Sequence, residues 1–219
     1  MLESVRIVGR GRVGNAVTAR LSERGVAVRH GEVDLVLLCV PDRAIAEAAR
    51  AVEPGPWVAH VSGATPLAAL SPHQRRFSVH PLQTIVRWRG AEQLDGAFAA
   101  VTAESPDARE VAVGLARLLG LEPFDLADGE RGLYHAGAAF ASGYLVTLHR
   151  AASALLEAAG APPEALLPLM RRTIDNGFEL TGPIARGDWS TVDAHLAAIR
   201  TRRPELEPLY QALAEATAA

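Results

Sequence analysis

The sequence predicts an α/β sheet domain followed by an all-α domain, on three observations. A GxGxxG turn, Gly9 to Gly14, directly follows the apolar run Val5-Arg6-Ile7-Val8. Short apolar runs then alternate with helical patterns as far as Leu126, the arrangement of a mostly parallel sheet with helical crossovers. From Asp128 onward the strand signals stop, and apolar residues recur at helical spacing to the end of the chain.

Val5–Val8 is a short β-branched run suited to a buried parallel strand. Gly9 permits the tight turn, Gly11 lets the backbone approach a pyrophosphate, and Gly14 lets the next helix, about Arg12 to Arg24, pack on the sheet. Strand, glycine turn and amphipathic helix in that order make a Rossmann-like start. The unpaired N–H groups and dipole at the helix start favour a phosphate, and Arg10 and Arg12 stand in the loop to add charge-assisted bonds. The competing reading is a structural glycine turn without a ligand.

The second strand is where the pattern departs from a complete dinucleotide unit. Val26–His30 is the only candidate, and Gly31, Glu32 and Val33 alone separate it from the strand Asp34–Val40. A parallel crossover needs about a dozen residues, whereas three extended residues span only about 10 Å. Both segments cannot be full parallel strands in the usual order, so Val26–His30 is a short edge, an antiparallel piece or a loop. The Rossmann-like, mostly parallel sheet therefore has a shortened second-strand region. No Asp or Glu stands at the ribose position; Arg29 and His30 do, which favours a 2′-phosphate and hence NADP over NAD. With Pro41 at the end of the next strand, the predicted cofactor-binding set is Gly9, Arg10, Gly11, Arg12, Val13, Gly14, Arg29, His30 and Pro41.

A helix follows Pro41-Asp42 to about Val52. A strand over Trp57–Val61 runs into Ser62-Gly63-Ala64, a short helix forms near Leu67–Leu70, and Phe77–His80 is a strand leading into Pro81-Leu82-Gln83-Thr84. Phe98–Val101 and Pro123–Leu126 are later strands flanking a helix from Pro106 to Leu119. Asp128 to Ala159 carries no proline and reads as one long helix. A second helix follows Pro162-Pro163, a polar turn spans Thr181–Asp188, and two helices complete the chain. The boundary falls near Leu126–Glu130, giving a dinucleotide-binding-type domain over residues 1–127 and a helical domain over 128–219.

Composition removes several function classes. The 219 residues, 49% hydrophobic, fit one or two compact domains with a sizeable core. A net charge of −3 gives no electrostatic case for nucleic acid, so Trp88 between Arg87 and Arg89 reads as a surface loop or interface. No apolar run approaches the roughly 18 residues of a membrane span, and no signal-peptide pattern opens the chain; the expected location is cytoplasmic. The single Cys39, mid-strand, reads as buried filler. All 22 basic residues are arginines, so a lysine general acid or Schiff base is impossible.

In open parallel sheets the ligand crevice lies beyond the carboxyl ends of the strands. Gly9, Pro41, His60, Ser62, His80 and Gln83 all sit at or just past such ends. On the long helix, His135, Ser142 and His149 are spaced seven apart and so share one helix face; His149 reads as structural. In Thr181–Asp188, Asp188 is placed to cap the helix starting at Trp189. Arg186 and Thr181 could bind a substrate carboxylate, against a reading in which Arg186 and Asp188 only staple the loop. His60, His80 and His135 could in principle hold zinc, but no pair has the spacing of known sites, and no metal is predicted.

Five segments, GRGRVG, HVSGA, HPLQTI, YHAGAAFASGYLV and LTGPIARGD, together resemble a Rossmann-like family of unassigned function within the 6-phosphogluconate dehydrogenase-like superfamily. The resemblance covers Val5 to about Tyr210. It implies an N-terminal nucleotide-type domain, a C-terminal helical domain and a homodimer built on the long helix. It also implies similarity to ketopantoate reductase and pyrroline-5-carboxylate reductase. The chain departs from the family in its shortened second-strand region and at Gly143, where the family carries Asn. The superfamily places its reactive cleft near the start of the long helix, which makes His135 the candidate general acid.

The expected function is thus an NADP-dependent oxidoreductase reducing a small carbonyl or imine acid. His135 or His80 would donate the proton, and His60, Ser62, Gln83, Ser142, Thr181 and Arg186 would contact a small-molecule substrate. The alternative is a non-catalytic module of the same fold that binds a smaller phosphate-bearing ligand or a partner protein.

Overall fold

The computed structural model describes residues 2–218. Contacts divide the chain into two compact units, one ending at Ala139 and the other beginning at Phe140. The first turns of the long helix therefore cluster with the sheet, and this division falls twelve residues after the sequence boundary at 127/128.

The first unit is a seven-stranded sheet in the order β2-β1-β3-β4-β5-β6-β7. Its strands are β1 (Ser4–Val8), β2 (Ala27–Val28), β3 (Leu35–Leu38), β4 (Trp57–His60), β5 (Arg76–Pro81), β6 (Phe98–Ala103) and β7 (Glu122–Asp125). Among the described residues the only antiparallel pair is β5 with β6, because the segment after Pro81 re-enters the sheet at the same end of the strands. Its helices are α1 (Arg12–Glu23), α2 (Ile45–Arg50), α3 (Pro106–Leu118) and α4 (Arg131–Ala139). Strand β3 shows why its sequence is continuously apolar: Leu35 and Leu37 face one core cluster, with α1 and α3, while Val36 and Leu38 face the other, with α2. A strand covered on both faces has no polar side. Cys39 is buried and unpaired, its thiol pushed up to about 12 by burial, consistent with packing rather than reactivity.

The shortened region resolves as a parallel edge strand of two residues. Val5 pairs with Val28 on one side and with Leu35 on the other, so the chain needs only to pass beneath the start of β1. Asp34 fastens this passage: its carboxylate accepts the N–H groups of Glu3 (2.8 Å) and Ser4 (2.9 Å) and the Ser4 hydroxyl (3.1 Å). Those bonds hold it below the ordinary aspartate range.

The second unit contains α5 (Leu145–Ala159), α6 (Leu166–Asp175), α7 (Trp189–Arg202) and α8 (Glu207–Ala218). Gly160, in the left-handed region at φ +82°, ends α5. Between α4 and α5, Phe140–Tyr144 is π-helical. The rule placing His135, Ser142 and His149 on one face assumes an unbroken 3.6-residue repeat. It does not carry across this turn.

Candidate functional site

The glycine loop builds one half of the site. Gly9 has φ +109°, and a Cβ there would strike the Cys39 carbonyl; a Cβ on Gly14 would strike the Gly9 carbonyl. These two glycines let backbone pack on backbone where β1, β3 and α1 meet. Gly11 differs, since a Cβ there would meet nothing within 4 Å. Gly11 is also the N-cap of α1, which has neither a side-chain cap nor an acidic residue in its first turn. The N–H groups at that helix start lack a side-chain acceptor and lie beside open space. Such a corner attracts an anion. Arg10 and Arg12 are exposed on either side of Gly11, and Val13 is half-buried behind it.

The adenosine side is reduced. Val28 is level with Val5, four residues short of Gly9, or roughly 13 Å of strand rise. Arg29 and His30 are exposed just beyond that short strand, and the Arg29 charge reaches Asp34 at the foot of β1. Pro41 is exposed where β3 opens into a short 3₁₀ turn.

The other half gathers at the ends of β4 and β5 and the start of α4. Its organising residue is Arg131, whose side chain is 2% exposed. Its guanidinium donates to Asp128 (2.9 Å), to the Ser62 carbonyl (2.9 Å), to the Gly63 carbonyl (3.4 Å) and to the Ser78 hydroxyl. Asp128 in turn accepts the Leu67 N–H at 3.0 Å. One buried cation thus ties the loop after β4, strand β5 and the entry to α4. Arginine suits the task because its planar fork serves several acceptors at once.

Against this frame sit three imidazoles and a phenol. His60 is fully buried; its Nδ1 accepts the Ser62 N–H at 3.2 Å, and its Nε2 finds no hydrogen bond of good geometry among the described residues. Burial first, then the Arg131 and His80 charges, lower His60 to about 3, against a weaker opposing pull from the Pro66 backbone. His80 is half-buried, its Nδ1 2.7 Å from the Tyr134 hydroxyl. Burial, then His135, then Arg131 lower it to about 4, with Asp42 opposing. Tyr134, set edge-on to both His80 and Phe124, is pushed up to about 12 by burial, with Arg131 opposing. His135 is exposed and packs edge-on to His80, ring centroids 6.0 Å apart. Gly63 makes this packing possible: a Cβ there would lie 2.7 Å from His135 Cδ2 and 2.8 Å from His80 Cε1.

At neutral pH the cluster therefore presents an uncharged His80 bonded to a protonated phenol. Burial, the neighbouring His135 and the Arg131 cation disfavour the charged His80 ring. His60 and Ser62, both expected to touch substrate, are buried within this frame. The Ser62 hydroxyl accepts the N–H groups of Ala64 and Thr65 and bonds the Thr65 hydroxyl. Gln83 is exposed and accepts the N–H of its neighbour Thr84. Ser142, Thr181 and Arg186 belong to the second unit, and there Asp188 caps α7 as expected, accepting the Thr191 N–H at 3.1 Å. Among the described residues, no group of three or more His, Cys, Asp or Glu is arranged to hold a metal ion.

Sequence reasoning passed over Arg131, Asp128 and Gly63 and left Tyr134 without a role. A signal existed in an Asp–Arg pair three apart opening an otherwise apolar helix, but nothing local says that its arginine is buried.

Comparison with known proteins bears on the whole chain. The profile of a domain of unknown function, DUF2520, matches residues 97–217. No curated protein matches. Among solved structures, a provisionally assigned NADP oxidoreductase from Bacteroides fragilis superposes with a TM-score of 0.84 at 19% identity, over 99% of this chain and 98% of that one. The 1-pyrroline-5-carboxylate reductase of Streptococcus pyogenes gives 0.63 at 14% identity, over 98% and 96%. A reductive aminase from Aspergillus terreus, in complex with NADPH, gives 0.64 at 14% identity, over 95% and 88%. At such identities the likeness is one of fold.

Proposed function

The chain belongs to the family of the domain of unknown function DUF2520, and we propose that it is an NADP-dependent reductase of a small carbonyl or imine acid. Its fold is shared, distantly, with NAD(P)-dependent oxidoreductases. The observation that carries the reading is the open corner at Gly11, where an uncapped helix start meets empty space and two exposed arginines. Had a side chain of the protein filled that corner, no pyrophosphate could enter.

Main-chain amides from Gly9 to Gly14 would hold the pyrophosphate, with Arg10 and Arg12 adding charge. Arg29 and His30 would face the 2′-phosphate, the basis for NADP over NAD. A bound nicotinamide supplies the hydride. The cluster of His80, Tyr134 and His135 would polarise and protonate the acceptor. The substrate class, including ketopantoate-type acids, rests on resemblance. We also infer a homodimer through the helical unit.

The two-residue β2 favours a second reading, in which the glycine loop holds a smaller phosphate-bearing ligand. Titration with NADPH, followed by nicotinamide fluorescence, separates the two. Saturation below about 1 mM, the upper end of ordinary enzyme ranges, is expected. Gly11→Val should leave the fold intact and weaken binding at least tenfold, or about 1.4 kcal/mol. No binding by a folded protein would sink the oxidoreductase reading. Unchanged affinity in Gly11→Val would move the ligand elsewhere.

A further inference from the structure

On the reading that a carbonyl or imine is reduced here, we propose that Tyr134 is the proton donor, with His80 as its hydrogen-bond partner and Arg131 as the positioning residue for both. The Tyr134 hydroxyl lies 2.7 Å from His80 Nδ1, and its ring is fixed between Phe124 and His80 by edge contacts with centroids 6.0 Å and 5.5 Å away. Arg131 reaches the same two elements. It begins α4, three residues before Tyr134, and bonds Ser78, two residues before His80 and on the same side of β5. Its other bonds close the loop that carries Gly63, the glycine on which His80 and His135 pack. Losing Arg131 would release the loop, the strand and the helix start together.

The chemistry selects between the phenol and the imidazoles. The groups acting on His80 are Arg131, His135 and Tyr134 from α4, His60 from β4 and Asp42 after β3. Burial and a permanent guanidinium charge oppose a cation at His60 and His80, so within the Tyr134–His80 pair the proton available at neutral pH is phenolic. With its own proton on Nδ1, neutral His80 donates to the phenolic oxygen and leaves the phenolic hydrogen for the ligand. A bound reduced nicotinamide would supply the hydride to the acceptor carbon; as the acceptor's π electron pair moves onto its oxygen or nitrogen, the Tyr134 O–H bond breaks. Its proton passes to the carbonyl oxygen or imine nitrogen, giving an alcohol or amine. The phenolate, stabilised by His80 Nδ1–H, then takes a proton from water.

The test uses the full-length protein and begins without cofactor, by long-range ¹H–¹⁵N NMR of the imidazoles from about pH 4.5 to 8.5. His80 should stay uncharged well below its ordinary 6.5, and Tyr134→Phe should shift its Nδ1 resonance. Titration of His80 near 6.5, or an unmoved Nδ1 in Tyr134→Phe, overturns the assignment. Arg131→Met should bring the His80 titration up toward 6.5; where this variant fails to fold, the wild-type and Tyr134→Phe spectra decide alone. With NADPH and pyruvate or other 2-oxo acid probes, Tyr134→Phe should lower kcat 100-fold or more, as for loss of a general acid. The wild-type rate should not fall as pH rises through 6.5, whereas an imidazolium donor would make it fall. A chain that binds no NADPH fails the oxidoreductase reading, while a chain that turns over with Tyr134→Phe at the wild-type rate fails the donor assignment only.

Discussion

His60 and His80 are each held neutral by their surroundings, which makes the protein's stability depend on pH. Both have folded values below the ordinary 6.5, at about 3 and about 4. The unfolded chain therefore takes up protons below pH 6.5 that the folded chain refuses. Their contribution is complete above 6.5 and is lost as pH falls toward those lower values. The slope is at most about 1.4 kcal/mol per pH unit for each histidine. We expect the urea midpoint to fall between pH 6.5 and about 5, above the range where ordinary carboxylates titrate. His80→Asn should roughly halve that slope, and a flat wild-type profile would contradict the assignment. That these histidines sit at strand ends was legible, because strand ends follow from local patterning. Which of them is buried was not, since His60 and His80 occupy equivalent places in two similar apolar runs. Their difference in burial comes from packing between residues far apart in the chain.

Among the elements, those whose ends carry their own chemistry were readable from sequence. Asp188 takes three bonds from the first turn of α7, the Thr191 N–H and the hydroxyls of Ser190 and Thr191. Asp188→Ala should destabilise the chain by about 1 kcal/mol, measured as a lower denaturation midpoint, and Asp188→Asn should recover most of it. An unchanged midpoint in Asp188→Ala would show that α7 does not depend on this cap. The truncation of β2 was equally legible, because it follows from the number of residues available for a crossover. Its direction was not: the strand is a parallel two-residue edge, with Asp34 fastening the return beneath β1. The π-turn at Phe140–Tyr144 left no mark in the apolar spacing, so the seven-residue rule overreached across it.

For the molecule as a whole, the two units differ in how they bury apolar surface. Strands β3 and β4 and their helices form closed cores. The helical unit instead leaves Val146, Leu169, Ile174, Phe178 and Leu180 at least half exposed. An apolar surface of that kind is unusual on a monomer and supports the inferred homodimer. Light scattering at micromolar concentration should give twice the chain mass of 23.2 kDa. Leu169→Glu with Ile174→Glu should give the monomer, and a wild-type monomer would remove the inference. The sequence by itself determined what depends on near neighbours: the glycine turn, the curtailed second strand, the sheet-then-helix order and the cap at Asp188. The tertiary structure alone decided that Gly63, His80, Arg131 and Tyr134 form one cluster while Ser62 and His60 turn inward. Contacts between residues far apart in the chain depend on strand order and register, and local spacing carries no information about either.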